Sequence, residues 1–382
     1  MAVAAAGVHF FRGAPLEKAW RAKCCADAKT SITTPRRGAI VKVRSLASSS
    51  STSTVEQTAY EKGQGEARWA GDDPLARFVT GLVSIEPLYR AITFVAQKVM
   101  IRTAEKSGVP WQKMVKEIKE SDVYAEKDLV ENINVSYPDY YIKAFHSYRK
   151  GNLSWEAAFD AEPATKVVMK RAFKHIASPQ LAEETFRFRW LKELEAHHTK
   201  FSNGLQAGAI LDIGCSIGIS SRYLRNHFPV AQVTGLDLSP YYLAVARHIQ
   251  NKEATESSST KRNIEYVHAN GEETGLPSES FDIISCAFLC HELPQSAAKN
   301  ILREARRLVK PGGTIALIDI SPEAKAIQEL APALFVMMKA TEPWLDEYFT
   351  LDLKGELERN GFTNITSSLT SPRHATITAT AT

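Results

Sequence analysis

Two kinds of hydrophobic pattern divide the chain. From residue 73 to about 200, apolar residues recur at three- and four-residue spacing, the period of helices that bury one face. The stretch "PLARFVTGLVSIEPLYRAITFVAQKVMIRTAEKSG" reads as a buried helix pair, broken by Glu86, Pro87 and Arg90, whose apolar face could also meet a membrane. Gly108-Val109-Pro110 ends it, and "PWQKMVKEIKE" restarts a helix with proline near its first turn. The aromatic-rich segment from Tyr137 to Phe173 also reads as largely helical, and "QLAEETFRFRWLKELEAHH" closes the region as an amphipathic helix.

From about residue 205 the pattern becomes short apolar runs separated by helical stretches. "GAILDIG", "QVTGLDL", "IEYVHAN", "FDIISCAF" and "TIALIDI" read as strands. Between them lie the helices "SSRYLRNHF", "PYYLAVARHIQNK" and "QSAAKNILREARRLVK", the polar loop "EATESSSTKRN", and a helix stop at Pro311-Gly312-Gly313. Strands alternating with helices specify a parallel sheet covered on both faces. The tail adds one helix and two strands joined at Ser371-Pro372, an antiparallel pair at the sheet edge. The predicted fold class is therefore α/β: a Rossmann-like, mostly parallel seven-stranded sheet with helices on both faces, preceded by a helical cap. The expected divisions are a leader over 1–52, a linker over 53–72, the cap over 73–200 and the sheet domain over 201–382.

Charge changes the picture at the N-terminus only. The first fifty residues hold nine Lys/Arg and two acids, and they run into "VRSLASSSSTSTV". Arg-, Ser-, Thr- and Ala-rich, acid-poor composition is that of an organelle transit peptide, and "MAVAAAG" with late arginines favours the chloroplast. The formal net charge of +4 belongs to this leader, so the rest has no basic bias that would call for nucleic acid. No uninterrupted run of about 18 apolar residues exists, which argues against a transmembrane helix but leaves peripheral membrane contact open. Cys215, Cys286 and Cys290 follow the leader with no CxxC pair, so neither a disulfide framework nor a metal site is expected. His197 and His198 are adjacent and would point apart on a helix.

Chemistry concentrates where strands end. "LDIGCSIG" places Gly214 at a sharp turn and Gly218 where a helix must approach closely. The spacing is not the G-x-G-x-x-G of dinucleotide sites, and Asp212 beside the turn would repel a pyrophosphate. It would suit a ligand carrying an ammonium group or hydroxyls. Asp237 ends the second strand, where an acid accepts from ribose hydroxyls. Asn270-Gly271 ends the third, placed to meet an adenine edge.

The series "LDIGCSIG", "GLDLS", "NGEETGLPSESFD", "AFLCHELP" and "EARRLVKPGGTIALID" resembles the class I S-adenosylmethionine-dependent methyltransferases, and among them the ubiquinone and menaquinone C-methyltransferase branch. The resemblance implies S-adenosylmethionine as cofactor. It implies that Asp212, Gly214, Cys215, Ser216 and Gly218 cradle its methionine part, Asp237 its ribose, and Leu238, Asn270 and Gly271 its adenine. Leu289, Cys290 and His291 fall where the chain passes the reacting methyl. Two positions depart from the family pattern: Ser216 stands for a glycine and Asn270 for an acid. Transfer needs a base only where the acceptor sheds a proton. His291 is the candidate base and Glu292 its candidate neighbour, although a loop-orienting role would place His291 equally well. Cys290 reads as packing.

The long segment after the fifth strand, "SPEAKAIQELAPALFVMMKATEPWLDEYFTLDL", offers Met337, Met338, Trp344 and Tyr348 as acceptor-pocket candidates. A helix packing its stripe on the core would show the same pattern. Tyr141 and its aromatic neighbours Tyr137, Tyr140, Phe145, His146 and Tyr148 are candidates for the other wall. The expected function is methyl transfer to a small lipophilic acceptor, by C- or O-methylation, in the plastid. The competing readings are a non-catalytic cofactor-binding assembly protein and a nicotinamide-dependent oxidoreductase. The latter requires a G-x-G-x-x-G turn and a Tyr-x-x-x-Lys pair after the fourth strand, and neither is present there.

Overall fold

The first apolar run becomes strand β1 (Ala209–Ile213), buried at every position after Ala209. It pairs in parallel with β2 (Gln232–Asp237) on one side and β4 (Phe281–Ala287) on the other. β3 (Glu265–His268) extends the sheet beyond β2, and β5 (Val309–Ile320) extends it beyond β4, both in parallel. The tail strands β6 (Phe362–Leu369) and β7 (His374–Ala381) are antiparallel, and β7 lies between β5 and β6. The order β3-β2-β1-β4-β5-β7-β6 is a seven-stranded, mostly parallel sheet, as the sequence pattern specifies. This computed structural model describes residues 60–63, 78, 81, 85–256 and 263–382, all of them in one compact unit. The expected leader (1–52), and the expected linker apart from residues 60–63, lie outside the described residues.

Central strands are continuous apolar runs because both their faces are covered. Alternate residues point to opposite faces. Ile210, Ile283 and Ala316 pack with Phe186, Trp190 and Leu194 of helix α5 (Pro179–Phe201). Leu211, Ile284 and Leu317 enter the other core with α8 (Gln295–Leu308) and the segment after β5. Helices α6 (Ile219–His227) and α7 (Pro240–Glu256) follow β1 and β2. The segment after β5 forms α9 (Lys325–Gln328), α10 (Pro332–Thr341), α11 (Leu345–Thr350) and α12 (Leu353–Arg359). Upstream lie α1 (Glu86–Lys106), α2 (Trp111–Lys119), α3 (Lys127–Val130) and α4 (Trp155–Ala172).

Although α5 falls in the range expected to form a cap, it is a layer of the sheet. Ser178 accepts from Leu181 N to cap it, Pro179 occupies its first turn, and the helix packs against β5 and β7. His197 bonds Thr380 at 3.0 Å and His198 bonds Thr314 at 2.9 Å. Burial pulls His197 down to about 4, so it stays neutral and tethers the helix to the sheet.

Three expected boundaries move. The aromatic segment is not helical before Trp155: residues 131–154 form turns. Pro138 interrupts them, His146, Ser147 and Gly151 adopt positive φ, and the tyrosines are bonded outward to the core. α7 runs to Glu256, into the expected polar loop. Pro311-Gly312-Gly313 does not separate a helix from a strand. Helix α8 stops at Leu308, and the prolyl-glycyl segment is an irregularity inside β5, where the register with β4 shifts between Phe281 and Ile283.

Gly218 fixes how α6 leaves the sheet. It is the N-cap residue at φ 73°, and a Cβ there would sit 2.3 Å from the Tyr266 hydroxyl of β3. That hydroxyl is buried and has no hydrogen-bond partner among the described residues. Gly218→Ala is therefore expected to cost more than about 1 kcal/mol of stability by chemical denaturation. Tyr266→Phe alone should be tolerated and should recover part of the loss in the double variant. Additive losses in the double variant would show that the contact is not the cause.

Candidate active site

The strand order reverses between β1 and β4, and the turns at the C-terminal ends there open into the place where doubly wound sheets hold ligands. A partly open cavity occupies it. The turn after β1 is tied to β2: Gly214 N and Cys215 N both donate to Leu236 O, at 2.8 and 3.0 Å. Gly214 has φ 70°, and a Cβ there would lie 2.8 Å from Leu289. Ser216, the departure from glycine, is itself left-handed at φ 51°. Its N–H donates to Asp237 Oδ2 at 2.7 Å, while Ser239 N donates to Oδ1 at 2.8 Å. Burial nevertheless raises the Asp237 carboxyl to about 6.

Gly214, Cys215, Ser216, Asp237, Leu238, Asn270, Gly271 and Leu289 all line this cavity. Gly218 does not, and it acts through the helix start described above. Asn270 Oδ1 accepts from Glu272 N at 3.0 Å, which keeps its second lone pair for a ligand. The Cys215 thiol is held far from ionisation, burial being the main cause.

Asp212 requires a correction. It is fully buried and does not line the cavity. Its Oδ2 accepts from Ser220 and Ser221, each at 2.6 Å, so it braces the first turn of α6 from beneath. An acid can sit there because two hydroxyls replace its water, while burial raises its pKa. Its repulsion of a pyrophosphate, expected from position alone, is blunted by that shielding.

His291 and Glu292 exchange places relative to expectation. His291 is wholly buried and does not line the cavity. Its Nδ1 lies 2.6 Å from Asp319 Oδ1, and its backbone N–H donates to Asp319 Oδ2 at 3.2 Å. It orients the loop after β4. Glu292 lines the cavity. Behind it, His146 Nε2 stands 3.7 Å from Glu292 Oε1 and 2.8 Å from Glu342 Oε1. Burial lowers His146 to about 4, so it is a neutral donor to a carboxylate. Of the acceptor candidates, Tyr140, Tyr141, Phe145 and Trp344 line the cavity. Tyr348 is spent on Ile320 O at 2.6 Å, and Met337 packs against the core. Both belong to the apolar stripe that packs inward.

Arg187 of α5 was not marked by the sequence reading. It lines the cavity, is 3% exposed, and its Nε and Nη1 make no hydrogen bond among the described residues. Its guanidinium lies 5.6 to 5.8 Å from the rings of Trp190, Tyr223 and Phe288, and burial pulls its pKa down. The available signal was a base inside an apolar stripe, between Phe186 and Trp190.

Residues 211–317 match the family model described as a methyltransferase domain. The chain is similar to a demethylmenaquinone methyltransferase of Listeria monocytogenes, 34% identical over 113 residues, 29% of this chain and 44% of that protein. It is similar to a ubiquinone biosynthesis O-methyltransferase of Pseudomonas paraeruginosa, 32% identical over 125 residues, 32% of this chain and 49% of that protein. The match thus spans less than half the length of these curated relatives. A solved structure of the CurJ carbon methyltransferase superposes with a TM-score of 0.43 at 17% identity, covering 71% of this chain and 70% of that one. Residues 211–317 are a class I S-adenosylmethionine-dependent methyltransferase domain.

The residues present fit that cofactor, which joins an adenosine to a zwitterionic amino acid. Asp237 would accept from the ribose, and Leu238, Asn270 and Gly271 would border the adenine. Arg187 Nε and Nη1 and Ser216 Oγ, of residues lining the same cavity, have no hydrogen-bond partner among the described residues and are donors that a carboxylate would satisfy. Removal of Arg187 is thus expected to discriminate between ligands. By calorimetry, Arg187→Met should weaken S-adenosylhomocysteine by about 2 kcal/mol, the value of a hydrogen bond to a charged group. It should leave 5′-methylthioadenosine, which has no carboxylate, unchanged. Equal weakening of both would refute the assignment.

Asp237 sets a pH dependence. Its carboxyl is ionised above about 6, and only that form accepts from both ribose hydroxyls. Affinity for S-adenosylhomocysteine should be flat above pH 7 and fall about tenfold by pH 5 as the group takes up its proton. Asp237→Asn should flatten this profile. An unchanged slope in that variant would move the titration to another group.

Proposed function

We propose that this protein transfers a methyl group from S-adenosylmethionine to a small lipophilic acceptor bearing an aromatic hydroxyl or its activated ring carbon, and that it does so in the chloroplast. The observation that carries this reading is the mixed lining of the cavity. Ser216, Asp237 and Arg187 give it polar groups, and Tyr141, Phe145, Leu293 and Trp344 give it apolar and aromatic walls that it shares with the carboxylate of Glu292. Pockets with apolar walls and few polar groups fix a ligand's orientation through those few groups.

When bound, the cofactor supplies an already activated methyl group. The protein's work is then alignment, exclusion of water and removal of one proton. A phenolic acceptor loses that proton as its oxygen, or the adjoining ring carbon, attacks. Glu292 is placed to take it, with His146 and Glu342 behind it. His291 holds the loop that carries Glu292. Similarity to a demethylmenaquinone methyltransferase and to a ubiquinone biosynthesis O-methyltransferase supports a quinone-like ring as the acceptor class. The Arg-, Ser- and Thr-rich composition of residues 1–52 supports chloroplast delivery.

The test supplies radiolabelled S-adenosylmethionine and a chloroplast lipid extract to the protein. One labelled lipophilic product is expected, and its yield should fall at least about a hundredfold in Glu292→Gln, the usual scale for a lost general base. S-adenosylhomocysteine binding should be retained in that variant. Cofactor binding without any labelled product would favour a non-catalytic binding protein.

A further inference from the structure

Helix α1 is only half used by the fold. Thr93, Ala96, Met100 and Ala104 form its buried face, which packs against α4 and α10. The opposite face is exposed and carries large apolar side chains: Ile85 is 52% exposed, Phe94 56% and Val95 55%. Helical geometry puts Phe94 and Val95 on the same outward arc as Ala91 and Pro87, one turn or two away. Lys98, Arg102 and Lys106 continue that arc at four-residue spacing, all exposed. Lys98 Nζ lies over the Phe94 ring, 4.2 Å from its centroid, so charge and apolar group stand side by side on this face. The one acid among the described side chains of α1, Glu105, is turned to α2, where its carboxylate accepts from Gln112 N at 3.0 Å. The outward face therefore presents protruding apolar groups beside an unbalanced cationic row.

We propose that this face docks the protein on an anionic lipid surface. Protruding apolar side chains flanked by bases are what an interface of acyl chains and anionic headgroups accepts, and such a surface requires no matching groove. A second copy of the chain is disfavoured, because a two-fold contact would set the cationic row against itself. Among the described residues no helix is long and apolar enough to cross a membrane, so the contact is one of surface docking. Ser147 Oγ donates to Thr93 O at 3.5 Å, and neighbouring Phe145 lines the main cavity, so the docked helix lies against the cavity's own wall.

Residues 1–52 are themselves basic, so total vesicle binding does not locate the contact. A photoreactive benzoylphenylalanine in place of Phe94 in the full chain does. With vesicles of phosphatidylcholine and phosphatidylglycerol, position 94 should form lipid adducts. The same group at exposed Val230 should not, and phosphatidylcholine alone should give few. Adding Lys98→Glu and Arg102→Glu should cut the adducts by about tenfold or more, since each base near an anionic surface contributes about fivefold and two are reversed. An adduct yield at 94 that is absent, equal to that at 230, or indifferent to phosphatidylglycerol or to charge reversal overturns the proposal. Protein–protein adducts from 94 overturn it in favour of self-association.

Discussion

The cavity depends on one buried carboxylate. Asp237 ends β2, and its two oxygens are gripped by backbone amides from two different turns: Ser216 after β1 and Ser239 at the start of α7. Those bonds hold the glycine turn against the neighbouring strand and leave each oxygen a free lone pair toward the cavity. A carboxylate is the only side chain that can accept from two amides and still accept from a diol. Its burial has a cost, visible in its raised pKa, and two charge-assisted bonds offset that cost only in part.

The roof over this floor comes from residues 131–154, and polar bonds to the core fix it in place. Tyr140 donates to Glu272 at 2.8 Å, and Asn300 of α8 donates to the other oxygen of the same carboxylate at 2.7 Å. Ser239 donates to Asn152 O at 2.6 Å, and Tyr242 to Asn152 Oδ1 at 2.9 Å. Ser239 thus serves both layers, its amide to Asp237 and its hydroxyl to the roof. On the acceptor side His146 from the roof, Glu292 from the core and Glu342 from the segment after β5 converge. Three stretches far apart in the chain meet at one group of titratable side chains.

Most of the sheet was legible because its strands are short, apolar and punctuated, and because Gly214, Asp237 and Gly271 sit at strand ends where position alone suggests a role. The errors have physical causes. Residues 131–154 are rich in aromatic residues at helical spacing, but their tyrosines bond outward to Glu272 and His268, and positive φ at His146 and Ser147 breaks the helix. His291 and Glu292 are adjacent, and no periodicity tells which of two neighbours in a single 3₁₀ turn faces a cavity. Arg187 was hidden because it lies on a helix that the pattern assigned elsewhere; only the sheet's packing brings α5 to the cavity. Asp212 reads as a ligand-facing acid until Ser220 and Ser221 are seen to occupy it.

The central claim is that the two turns joined by Asp237, together with Arg187 from α5, form one cradle for an adenosine carrying an amino acid. A crystal structure with S-adenosylhomocysteine tests it most directly. The ribose hydroxyls are expected on Asp237 and the ligand's carboxylate on the Arg187 guanidinium. A ligand whose carboxylate points away from Arg187, or whose ribose leaves Asp237 untouched, would contradict it.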